Sequence, residues 1–211
     1  MRLKPILRII LATLFTTAAF PVFSQTVPAA RQGVLPITVG GGVSIFDPDY
    51  PDYGQGRMLG GTVWIDYVPH WVPKRLYGLG LEVEGRDINY HRSSSQPANL
   101  REDTLMGGAI YSWRHYEKFR PYGKFLAGLG NTDYGTQTTP EYRFNQSRTI
   151  IGVGGGLEYR VIRSFWVRGD YEYQRWPDFY NTGTKFARPL KPQGITVGVS
   201  YDLSRPRFFS K

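Results

Sequence analysis

What most constrains this chain is the repeat of its hydrophobic residues. Past the first 24 positions, helical periodicity never persists, and alternation with period two recurs instead, as in strands with one apolar face. The clearest case is Ile195 to Leu203. Ile195, Val197, Val199, Tyr201 and Leu203 lie on one face; Thr196, Gly198, Ser200 and Asp202 lie on the other. Phe165 to Gln174 sets Phe165, Val167, Gly169, Tyr171 and Tyr173 against Trp166, Arg168, Asp170, Glu172 and Gln174. Thr149 to Val161 and Tyr77 to Arg86 alternate likewise. Ile37 to Phe46, Leu59 to Val68, Thr104 to Arg114 and Tyr122 to Asn131 follow the rule less cleanly, which makes eight strands.

The prolines agree with this map. Pro36, Pro48, Pro51, Pro69, Pro73, Pro97, Pro121, Pro140, Pro177, Pro189, Pro192 and Pro206 all fall outside the strands or at an end, as a residue without an N–H must. Connections 47–57, 90–102, 133–147 and 177–192 read as long, and 69–76, 115–120 and 162–164 as shorter. Long loops on one side and short turns on the other describe an up-and-down meander. The expected fold is all-β, an eight-stranded antiparallel up-and-down transmembrane β-barrel.

Composition narrows the alternatives. The 211 residues include no Cys, which removes disulfide scaffolds, thiolate zinc sites and cysteine nucleophiles. The mean hydropathy is -0.36, and no apolar run outside the N-terminus approaches the ~20 residues of a spanning helix. At the N-terminus, Arg2, Lys4 and Arg8 precede or enter an apolar stretch from Ile6 to Phe20, and Val22-Phe23-Ser24 supplies small residues for cleavage. That is the layout of a secretory signal peptide cut after Ser24. The expected organisation is a signal peptide at 1–24, a short segment at 25–36, a barrel at 37–203 and a tail at 204–211. Lys+Arg number 26 against 17 Asp+Glu, a formal +9; loss of the leader's three cations leaves +6.

The polar face decides which side meets lipid. A soluble barrel would turn its apolar face inward and its charges to water. With the apolar face outward, the lumen instead receives Asp66, Glu82, Glu84, Glu158, Asp170, Glu172 and Asp202 with Arg86, Arg114, Lys124, Arg160 and Arg168. Seven acids against five bases are close to the balance that enclosed charges need. The turn near 162–164 sets Glu158 opposite Arg168, within expected ion-pair reach. Tyr67, Tyr77, Tyr111, Trp113, Tyr159, Phe165 and Tyr201 fall on the apolar face near the short-turn end of their strands. Mid-strand apolar positions are expected to be Val, Ile, Leu, Ala or Gly, so the aromatics form an interfacial girdle beneath an aliphatic band.

Several glycine-rich strands carry a family resemblance: Ile37-Thr-Val-Gly-Gly-Gly-Val, Tyr122-Gly-Lys-Phe-Leu-Ala-Gly-Leu-Gly, Ile151-Gly-Val-Gly-Gly-Gly-Leu-Glu-Tyr and Gly194-Ile-Thr-Val-Gly-Val-Ser-Tyr-Asp-Leu. Over about residues 33–203 the chain resembles the small outer-membrane β-barrel superfamily, the OmpA-like and OmpX-like eight-stranded porin-type domains. The resemblance implies the bacterial outer membrane as location, with outer-membrane lipid, lipopolysaccharide and the barrel-assembly machinery as partners. The chain departs from the pattern at its end. Members usually close on an aromatic residue, whereas here Leu203 ends the strand and a tail with Pro206, Phe208 and Phe209 follows.

Some eight-stranded barrels modify lipid A. His91, Ser93, Ser94, Ser95, Glu102 and Asp103 bring Ser, His and acid groups near one loop, but the His-x-Ser-Asn pattern of barrel deacylases is missing. His70, His91 and His115 have no metal-ligand spacing. No enzyme activity, cofactor or metal is expected. Arg57, Arg92, Arg101, Arg143, Arg148, Lys185, Arg188 and Lys191, with Tyr50, Tyr53, Tyr134, Tyr142 and Tyr180, give the loops a composition suited to lipopolysaccharide phosphates or a surface ligand. Nucleic acid is not expected at the cell surface. The expectation is a monomer that acts as structural anchor or surface-interaction barrel, its lumen plugged by side chains; a small pore is the alternative.

Overall fold

The computed structural model describes residues 36–49, 56–69, 72–73, 76–90, 98–136, 143–177 and 189–203. The leader, Gln25 to Leu35 and the tail 204–211 lie outside them, as do His70, the stretch His91 to Ser95, Arg92, Lys185 and Arg188. Eight strands run in chain order: β1 (Ile37–Asp47), β2 (Met58–Tyr67), β3 (Leu79–Tyr90), β4 (Ala98–Ser112), β5 (Phe119–Thr136), β6 (Arg143–Arg160), β7 (Phe165–Arg175) and β8 (Gln193–Asp202). Each pairs antiparallel with its neighbour in sequence, and β1 pairs with β8 to close the barrel. Closure leaves no strand edge unpaired, which a sheet in hydrocarbon requires.

Each ladder keeps a single register from end to end. Within the strands, the buried side chains therefore all carry even numbers, and the large exposed apolar ones odd numbers. Val43, Ile45, Val63, Ile65, Leu81, Val83, Leu105, Leu129, Val153, Val197 and Val199 form an outward aliphatic band. An exposed apolar belt of this size has no place in water.

The largest departures from the expected strand boundaries are four. At the end opposite the chain termini, β3 and β5 run further and β4 and β6 begin earlier, so connections 90–102 and 133–147 shrink to 91–97 and 137–142. The extensions lack apolar alternation because they are polar outside: Arg101 bridges Asp87 (2.6 Å) and Asp103 (3.1 Å) on neighbouring strands. Arg101 is thus a strand residue neutralised in place rather than a free loop cation. At the terminal end, Tyr77 and Arg114 lie in turns outside β3 and β4. Pro121 is the third residue of β5. Its carbonyl accepts the Trp113 amide just past the end of β4, and a strand residue's N and O face the same neighbour, so the missing N–H costs only the last rung.

Candidate functional site

The interior is narrow, and two glycines show how it admits large groups. A Cβ on Gly40 would stand 2.3 Å from the Trp64 ring, and one on Gly130 would stand 2.3 Å from Trp176. Both glycines lie where an indole crosses the inner wall.

Inward side chains line the space in three layers. The middle layer is ionic. Lys124 Nζ lies 2.6 Å from Glu84, 2.7 Å from Glu172, 2.8 Å from Asp170 and 3.3 Å from Glu82. Arg168 donates to Glu82 (2.8 Å), Asp170 (3.1 Å), Asp66 (3.3 Å) and the Tyr122 hydroxyl (2.7 Å), and lies over the rings of Trp64 and Tyr122. Arg86 reaches Glu84 at 2.5 Å and Glu172 at 3.2 Å. All eight charged residues are buried. Charge-assisted bonds this short, in a space of low dielectric, hold their members firmly.

Towards the far end the lining turns apolar. Ser44 bridges the hydroxyls of Thr62 and Thr196. Above them, Phe46, Met58, Ile88 and Leu100 cluster with Tyr90, and Met106, Leu126, Ile150, Trp176 and Leu190 form a second cluster. Arg86 lies 3.9 Å from the Phe46 ring centroid and joins the ionic layer to the apolar one. Gln174 does the same, donating to Glu172 and accepting from the Trp176 indole. The sequence reading placed Trp166 on the inner face but did not extend that placement to Phe46, Met58, Ile88, Leu100, Met106, Leu126 and Ile150, so it missed this layer. Their even numbering was the available signal.

At the terminal end a third layer forms the mouth. Arg120 stacks on Trp166 at 3.6 Å and reaches Asp202 at 3.5 Å and Glu158 at 3.9 Å. The sequence expectation of a turn at 115–120 includes Arg120, which in the structure is the second residue of β5. Glu158 and Arg168 do face each other across β6 and β7, but the expected ion pair does not form. Arg168 is long enough to reach the opposite wall, where Asp66 and Glu82 lie, and Glu158 is left to Arg120. Arg114 and Arg160, expected within the lumen network, are half-buried at the rim, and Arg160 pairs at 3.7 Å with Glu117 in the adjoining turn.

Outside, Tyr67, Tyr77, Tyr111, Trp113, Tyr159, Phe165 and Tyr201 surround the terminal end. Ring contacts join Tyr111 to Trp113, Phe165 to Tyr201, and Phe119, an addition to the set, to Tyr159. The aliphatic band is not free of aromatics: Phe125 is exposed at mid-height, and Tyr171 lies towards the far end, donating to Gln193. Glu102 points inward, buried, with Oε1 lacking a hydrogen-bond partner, while Asp103 points outward to Arg101. The two acids near the serine run therefore face opposite sides of the wall. Among the described residues, no group of three or more His, Asp or Glu is placed to hold a metal ion.

The comparisons agree with this geometry. Neisserial surface protein A superposes with a TM-score of 0.59 at 14% identity, covering 79% of this chain and 97% of that one. Ail, the attachment invasion locus protein of Yersinia pestis, superposes at 0.50 with 17% identity, covering 78% and 95%. At such identities the likeness speaks for the fold alone. No curated protein matches the chain significantly. The family model of the outer membrane protein beta-barrel domain matches residues 15–202. The chain therefore belongs to the outer membrane protein β-barrel domain family, an integral barrel of the bacterial outer membrane.

Proposed function

We propose that this protein is a non-conducting, non-enzymatic barrel that serves as an anchor, inserted as a monomer by the barrel-assembly machinery after cleavage of its leader. It presents the far-end connections 48–57, 91–97, 137–142 and 176–192 at the cell surface, where their basic and tyrosine residues meet lipopolysaccharide phosphates or a surface ligand. The observation that carries this reading is the succession of layers in the interior. A permeating ion would have to part the carboxylates around Lys124 and then cross an apolar stratum of Phe46, Met58, Ile88, Leu100, Leu126 and Trp176. Eight strands leave room for little beyond their own side chains. The reading against catalysis is supported by the opposed orientations of Glu102 and Asp103. Purified protein in planar bilayers should give no discrete current steps; reproducible single-channel steps would establish the pore instead.

A further inference from the structure

We infer that the mouth at the terminal end is a binding site for a phosphate group. A cavity of about 310 Å³ opens there, lined by Arg114, Arg120 and Arg160 together with Tyr77, Tyr116 and Glu117. Three guanidiniums around one cavity provide more N–H donors than their partners use. Arg114 forms no ion pair among the described residues, and its buried Nε has no hydrogen-bond partner. Arg120 reaches its two carboxylates only at 3.5 and 3.9 Å, well beyond the ~2.7–2.9 Å of a charge-assisted bond. Among the described residues, the one carboxylate that Arg160 pairs with is Glu117, at 3.7 Å, with a side chain 91% exposed; its guanidinium also lies 5.8 Å from the Trp166 ring centroid.

Arginine forks match the oxygens of phosphate and carboxylate alike. Three of them converging suit the tetrahedral anion with its larger charge and additional acceptor oxygens. The surroundings favour the same ligand. The sequences of the three connections at this end contain Lys74, Arg75, Arg114, Lys118 and Arg163 against a single acid, Glu117. Tyr77 belongs both to the cavity wall and to the outer aromatic ring, which stands at headgroup level in barrels of this kind. Two sources supply the chemistry, the headgroup of a phospholipid in the adjoining leaflet or a free phosphate from solution.

The test uses the refolded full-length barrel in an uncharged, phosphate-free alkyl maltoside. Inorganic phosphate is titrated at constant ionic strength, and the side-chain Nε–H resonances of Arg114, Arg120 and Arg160 are followed. Saturable shifts with an apparent Kd of about millimolar are expected. The double variant Arg114→Gln with Arg160→Gln should weaken binding about tenfold or more. Glu117→Gln, which removes the competing carboxylate, should strengthen it about two- to threefold, the opposite of what structural damage would do. In nanodiscs containing phosphatidylglycerol, resonances already displaced and insensitive to added phosphate identify the lipid headgroup. Displacement only on adding phosphate identifies the free ion. Shifts that fail to saturate, equal affinity in the double variant, or no gain in Glu117→Gln would each overturn the proposal.

Discussion

Arg168 and Arg120 are both buried arginines of the barrel interior, and they are held very differently. In the middle, Arg168 bonds three carboxylates at 2.8–3.3 Å and a tyrosine hydroxyl at 2.7 Å. At the mouth, Arg120 rests on an indole, with its nearest carboxylate 3.5 Å away. The same side chain thus serves two ends. Where all three nitrogens are engaged by acceptors, the arginine fixes the wall; where donors are left slack beside a cavity, the arginine is available to a ligand. Enclosure makes the first arrangement obligatory, because a charge cut off from water needs a partner. That demand is weaker at the mouth, where a cavity opens beside Arg120.

The largest test of this contrast is Lys124→Met. It leaves Glu84, Glu172, Asp170 and Glu82 gathered around an uncharged side chain, and the urea midpoint of the refolded barrel should fall by the equivalent of about 5 kcal/mol. A midpoint near that of the wild type would mean that water already screens the middle layer. Gly40→Ala comes next. Its methyl would have to displace the Trp64 ring, for a loss of about 1–3 kcal/mol, and Trp64 fluorescence should shift with it. An unchanged spectrum and midpoint would argue that the indole does not cross the wall there. The smallest effect belongs to the mouth: Arg160→Gln breaks a long contact with an exposed acid and should cost less than about 0.5 kcal/mol. A loss comparable to that of Lys124→Met would erase the distinction between the two regions.

Much of the wall was legible from sequence. The strong alternation of β7 and β8 identified their faces, because lipid outside and charge inside impose opposite demands on neighbouring residues. The far-end extensions of β3 to β6 were not legible, since Asp87, Arg101 and Asp103 face water and break the pattern without breaking the ladder. Register was readable where the turn is tight, as at Glu158 opposite Arg168. Partner choice was not, because in a narrow barrel a long side chain meets the opposite wall as easily as its cross-strand neighbour. The apolar far-end layer escaped notice for a related reason. Phe46, Met58, Ile88 and Leu100 are hydrophobic residues on the polar face, where their even numbering, and not their hydrophobicity, marks them as inward.

The central claim is that the middle layer is a desolvated, mutually dependent network. It is tested most directly by a double-mutant cycle on Arg168 and Glu82, read as urea midpoints in lipid vesicles. Arg168→Met and Glu82→Gln should each cost about 3–5 kcal/mol alone, and together about 1–3 kcal/mol less than their sum. The parallel cycle on Arg168 and Glu158, which face each other without pairing, should show markedly weaker coupling. Simple additivity for Arg168 and Glu82 would contradict the account, because it would mean that the best-held arginine of the interior gains nothing from its closest carboxylate.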